Sequence, residues 1–129
     1  MVESPDELEQ RQEQIDALAA LAGASRAETL RWSEEQAKQF RADQAAVYTT
    51  LDLWQNWWRD VLLMAAGCPE AITHVDRRGD LERLARRYDV ADIHTFMRRI
   101  GAAAQQMREN VNPQLALENV LLHLPVARR

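Results

Sequence analysis

Cysteine is almost absent: Cys68 stands alone. No intrachain disulfide can form, so a reducing, cytoplasmic setting is expected. Glycine and proline are scarce too, four of each, which leaves few places where a helix must break. Lysine is down to Lys38; the other fifteen of the sixteen basic residues are arginine. No apolar run approaches the length of a membrane span, and the acidic, polar start lacks the pattern of a secretory signal. No stretch has a dense basic footprint, so neither membrane association nor direct nucleic-acid contact is expected. There is no Walker A sequence, no G-x-S-x-G elbow and no dinucleotide fingerprint. A nucleotide, cofactor or other small-molecule site is therefore not expected.

What is present favours helix. Ala, Leu, Arg, Glu and Gln dominate, and all are good helix formers. At 129 residues and 47% apolar, the chain reads as one domain, residues 1–129, large enough for a core without staples. The net charge of −4 is uneven. Residues 1–66 hold 12 acids and 6 bases, whereas residues 67–129 hold 8 acids and 10 bases. Such asymmetry can steer association with charged protein partners; ordinary solvated helix faces are the simpler account.

Periodicity predicts a compact, all-α bundle of about five helices and no strand. The first runs from about Pro5 to Ala22, with Leu8, Ile15, Leu18 and Ala22 as its stripe and Gly23 as a stop. Ser25 and Glu28 have the form of a capping box. The second helix follows to about Arg41, with Ala27, Leu30, Ala37 and Phe40 inward. The third begins near Asp43 or Gln44 and reaches about Ala66. It has one stripe through Val47, Leu51, Trp54, Trp58 and Val61, and another through Tyr48, Leu53, Trp57 and Met64. Residues 68–79 read as a connector, with Gly79-Asp80 as a turn. A short helix from Leu81 to about Tyr88 comes next, then a long one from Asp89 to about Glu109. Asn112 is a good N-cap for the last helix, with Pro113 at its first position, where a missing N–H costs nothing. Pro125 is its expected stop. That helix is apolar on so many sides that burial almost all round is expected. Disorder is expected only in the first and last few residues.

Few residues invite chemistry. His74, His94 and His123 lack zinc-clasping spacing, so surface or packing roles are favoured. Cys68 precedes Pro69 and has only His74 as a nearby base in sequence, weak grounds for a catalytic thiol. No catalytic or metal-binding residue is assigned. Trp54 and Trp58 read as core. Trp57 is turned about 100° from Trp58 and stays open between core filler and binding hot spot. Glu118, in an apolar helix, wants a partner, and Arg59 is the expected one.

Two blocks resemble a known family. One is Leu53-Trp54-Gln55-Asn56-Trp57-Trp58-Arg59-Asp60-Val61-Leu62-Leu63, followed by Gly67 and Ile72-Thr73-His74-Val75-Asp76. The other is Asn110 to Pro125. Together they resemble the C-terminal collar domain of the delta-prime subunit of the bacterial DNA polymerase III clamp loader, over roughly residues 8–125. His74 stands where family members carry Asn. The resemblance implies an assembly module rather than an enzyme. It would pack against the collar domains of the gamma/tau and delta subunits in a loader that places the sliding clamp on primed DNA. The ATPase and lid domains of such a subunit would be missing from this stretch, and whether Met1 is native stays open. The interface is expected at Trp57, Leu117, Val120, Leu121 and Leu124. The related collar domain of the gamma/tau subunit is a close alternative. A small all-α enzyme with an interhelical site is the alternative of another class; charged side chains converging on an enclosed pocket would support it.

Overall fold

The computed structural model describes residues 4–127. The expected disorder at the chain ends and the origin of Met1 concern residues 1–3 and 128–129, which lie outside the described residues.

Six α-helices form in chain order: α1 (Pro5–Ala20), α2 (Arg26–Ala42), α3 (Gln44–Ala65), α4 (Arg78–Arg87), α5 (Val90–Arg108) and α6 (Pro113–Leu121). Short 3-10 turns at Leu21–Gly23, Pro69–Ala71 and Val75–Arg77 join them. Among the described residues there is no strand. The all-α expectation therefore holds, and the six helices among the described residues correspond to the six helical segments laid out from periodicity.

The helix starts follow local chemistry. The Ser4 hydroxyl accepts from Glu7 N–H while the Glu7 carboxylate reaches back to Ser4 N–H, a complete capping box. At α2 the expected box is only half made. Ser25 Oγ accepts from Glu28 N–H, but the Glu28 carboxylate takes the Ser25 hydroxyl rather than its backbone N–H. Asp43 accepts from Ala46 N–H and starts α3 one residue after α2 ends. Asn112 Oδ1 accepts from Leu115 N–H with Pro113 at the first position of α6, so the predicted cap is where expected.

Two helix ends share one device. At the end of α3, Gly67 N–H bonds to Met64 O and Cys68 N–H to Leu63 O, with Gly67 at φ 81°. At the end of α5, Asn110 N–H bonds to Met107 O and Val111 N–H to Gln106 O, with Asn110 at φ 69°. Both are Schellman caps that satisfy otherwise free carbonyls, and both require a left-handed residue. Asn, with its short polar side chain, is the residue other than glycine that best accepts that conformation.

α3 is the axis. It packs against α1, α2, α4 and α5, while α6 closes the far side against α2 and α5. One continuous core results, centred on Trp54, Trp57, Trp58 and Phe96. Trp54 and Trp58 both meet the Phe96 ring edge-on at 5.4 and 5.3 Å. None of the three buried indole N–H groups finds an acceptor among the described residues. Each ring removes about 150–250 Å² from water, roughly 4–6 kcal/mol at about 25 cal/mol per Å². That outweighs the ~1–3 kcal/mol cost of one unmade hydrogen bond.

Several sequence expectations need correction. Gly79 and Asp80 are helical, not a turn, because α4 starts at Arg78. The inward face of α2 is Thr29, Ser33, Ala37 and Phe40, and Ala27 is exposed. The Thr29 and Ser33 hydroxyls bond to the carbonyls of Arg26 and Leu30 in their own helix, so burial leaves them satisfied. α6 ends at Leu121, before Pro125 can act. Nor is α6 buried all round: Ala116, Leu117, Val120 and Leu121 face inward, while Leu115 and Leu122 are 63% and 60% exposed. α6 rests on α2 and α5, and its outer side is left open to water.

Candidate functional site: a buried carboxylate lock and two surfaces

The most heavily built polar feature is Asp60 on α3, 0% exposed among tryptophans. Helical register places it there. It is turned about 60° from Trp57, whereas Arg59 is turned about 160° away and stands in solvent. The carboxylate accepts from Thr73 N–H at 3.0 Å to both oxygens and from His74 N–H at 2.7 Å. The same oxygen lies 2.7 Å from His74 Nδ1. A carboxylate only accepts, so that ring nitrogen carries the proton. Asp60 thus fastens the connector between α3 and α4 from inside. His74 is buried with it and meets the Trp57 ring edge-on at 5.6 Å.

Arg77 extends the network outward. Its guanidinium lies 5.7 Å from the centre of the Trp57 ring. It donates to Gln12 at 3.0 Å and Asp16 at 2.6 Å on α1, and to Asp80 at 2.9 Å on α4. Burial alone would lower its pKa, but the hydrogen bonds and charges of Asp16 and Asp80 outweigh that and raise it above the ordinary arginine value. It stays charged throughout the physiological range.

This arrangement is structural in character. All the Asp60 contacts go to a backbone segment and to a ring that it orients, and neither Asp60 nor His74 lines the hollow beside Trp57. Cys68 lies in the α3 cap, and His94 is exposed. The exposed His123 ring sits 2.7 Å from the Asn119 carbonyl. Among the described residues no group of three His, Cys, Asp or Glu could hold a metal. No helix there is long and apolar enough to cross a membrane.

The expected interface residues land mostly inside. Trp57 and Leu117 are fully buried, and Val120 and Leu121 nearly so, all within the core of this chain. Leu124 is half-buried against it. The two faces of Trp57 and Trp58 do diverge, but α3 is enclosed on both sides, so both rings are covered. The expected Arg59–Glu118 pair does not form. Arg59 is exposed on α3, while Glu118 accepts from Gln114 at 3.0 Å one turn earlier in α6. The residues that α6 and its flanks do leave open are Val111, Leu115, Leu122 and Val126. Of these, Leu115 and Leu122 are seven residues apart, in helical register across α6, a signal present in the sequence but masked by the leucines between them, while Val111 and Val126 lie in the non-helical flanks. Asp60 was also legible, as a carboxylate in the register of the second apolar stripe of α3.

A bundle of helices around α3, with a polar lock buried at its centre, defines an all-α helical domain. The chain belongs to the family described as DNA polymerase III, delta subunit, C terminal, whose model matches residues 5–125. No curated protein and no solved structure matches the chain.

Proposed function

We propose that this chain is the assembly domain of a clamp-loader subunit of the delta-prime type, acting as one unit over residues 1–129. It joins collar to collar with the gamma/tau and delta subunits and has no catalysis of its own. The family match supports the C-terminal domain of a polymerase III delta subunit. The delta-prime reading rests on the tryptophan block of α3 and the Asn110–Pro125 block. In the resembled family ATP is handled by upstream domains and other subunits, so the chain alone neither hydrolyses ATP nor loads a clamp.

The observation that carries the assembly reading is the outer ridge of α6: Leu115 and Leu122, with Val111 and Val126 at its ends. Leu115 and Leu122, seven residues apart at the two ends of α6, are exposed on the side turned away from the core, and exposed apolar side chains of this kind mark a contact surface. Covering a leucine contributes at most about 1.5–3 kcal/mol before ordering costs are subtracted. The ridge replaces Leu117, Val120 and Leu121 as the proposed interface, because those three already hold α6 in place.

Light scattering of the chain alone and mixed with the collar domains of gamma/tau and delta tests this. A stable mixed species is expected, weakened in Leu115→Ser/Leu122→Ser and unaffected in Arg59→Ala. Absence of any mixed species at tens of micromolar would refute the reading.

A further inference from the structure

The first helix is held to the bundle unevenly. α1 is 16 residues long, yet its buried side chains are Ile15 and Leu18, both near its end. Residues 5–14 form about 15 Å of helix in which every residue is exposed except the half-buried Gln12. α3, by contrast, buries residues along most of its length, from Val47 to Val61. Residues 5–20 carry five acids and one base. Glu9 and Glu13 stand one turn apart, where like charges oppose the helix. Polar contacts supply part of what burial does not. Gln12 donates to Asp76 at 3.1 Å and accepts from Arg77 at 3.0 Å, and Asp16 accepts from Arg77 at 2.6 Å. Arg77 is itself placed from the core. Its N–H bonds to the His74 carbonyl at 3.0 Å, and Asp60 holds His74. Past α1 the chain has room to turn: Leu21–Gly23 is a 3-10 turn, Ala24 is extended, and a Cβ at Gly23 would meet open space.

We infer that α1 is a hinged strap with an ionic latch. Residues 5–20 swing away as one unit about the link between α1 and α2, while α2 to α6 stay folded. The Arg77 guanidinium on the Asp16 carboxylate is the latch. Elements that bury few apolar groups open at a lower free energy than the whole domain, and α1 is such an element. Asp16 is 64% exposed, so salt screens its pairing with Arg77 and the latch is weak enough to release. Lock and latch stand in series. Asp60 fixes His74, His74 carries the turn Val75–Arg77, and Arg77 reaches α1. A change at the buried carboxylate is therefore felt at α1, although the carboxylate's own hydrogen bonds go to Thr73 and His74. Opening bares Ile15, Leu18 and the flank of Trp57 beside Ala19 and Ala20, apolar surface that the closed bundle hides. The strap thus controls when that surface can be reached.

Native-state hydrogen exchange of the whole chain, resolved by residue at low and high ionic strength, tests the inference. The wild type is compared with Asp16→Asn, Asp60→Asn and the double variant. Asp16 is exposed, and thermal melts verify that its variant remains folded. In the wild type, amides from Glu9 to Ala20 should share one opening constant, roughly tenfold or more above that of α3 and α5, with a weaker dependence on urea because less surface is exposed. Asp16→Asn should raise that constant roughly two- to fivefold at low salt, and high salt should remove the difference. Asp60→Asn should raise it too, and Asp16→Asn should then add little, as expected of groups acting through one path. Protection of α1 equal to that of α3 makes it a fixed core helix and overturns the inference. Protection that grades from the first turn to a core-like level at Leu18–Ala20 is fraying alone, and also overturns it. Unchanged exchange in Asp16→Asn at low salt removes the latch, and additive effects of the two substitutions disconnect it from the lock; either result refutes the device.

Discussion

Replacing Asp60 by Ala removes the side chain that reaches the connector between α3 and α4 from the core. Its carboxylate takes two backbone N–H groups and one ring nitrogen. Thr73 is exposed, so its N–H can turn to water at little cost. His74 is buried, so its N–H and its ring nitrogen cannot. Each orphaned buried group costs about 1–3 kcal/mol, and the lost Thr73 bond adds about 1 kcal/mol. The expected total is about 3–7 kcal/mol, a large share of the ~5–15 kcal/mol that holds a typical domain together. Asp60→Asn should cost about 1–3 kcal/mol. Its carbonyl oxygen can keep both His74 bonds, while its amide nitrogen must face the Thr73 N–H. Urea unfolding reads the change as a shift in midpoint at constant slope. Hydrogen exchange should place the first opening in residues 68–77, ahead of the α3–α5 core. A loss below about 1 kcal/mol for the alanine variant, with His74 N–H still protected, would refute the view that this carboxylate fastens the connector.

Other perturbations separate the remaining claims. Gly67→Ala should cost about 1–2 kcal/mol, because φ 81° strains any side chain although space is open around it. Gly23→Ala, in open space without a left-handed backbone, should instead stabilise by about 0.4–1 kcal/mol; the two melts should move in opposite directions. Arg77→Gln should cost about 1 kcal/mol by untying α1 from α4. Against the lowering effect of burial, the hydrogen bonds and charges of Asp16 and Asp80 hold the folded pKa of Arg77 above the ordinary arginine value, so its contribution is complete at neutral pH and is lost only in strongly alkaline solution. The cost should therefore be equal at about pH 6 and about pH 9; a cost that changes between them would point to another group. Leu117→Ala should lose about 2–5 kcal/mol of stability, while Leu115→Ser should stay within about 0.5 kcal/mol of wild type. Equal losses in the two would show that α6 has been assigned the wrong inner face.

The sequence alone determined that six helices form, and it determined their caps at Ser25 and Asn112. Those choices depend on hydrogen bonds and backbone freedom within a few residues of each site. It also determined the two apolar stripes of α3, since a period near 3.6 places residues on a face whatever lies opposite. Tertiary structure decided what each face meets. Trp57 is core because α4 and the connector cover the side of α3 that Trp58 does not occupy. Glu118 bonds within α6, not to Arg59, because α6 rests on α2 and α5. Thr29 and Ser33 pass as core residues only because their own helix satisfies them. Asp60 became the central lock because folding brings Thr73 and His74, distant in sequence, to a carboxylate buried away from solvent. Local chemistry is encoded residue by residue, whereas burial is a property of neighbours, and neighbours exist only once the chain has folded.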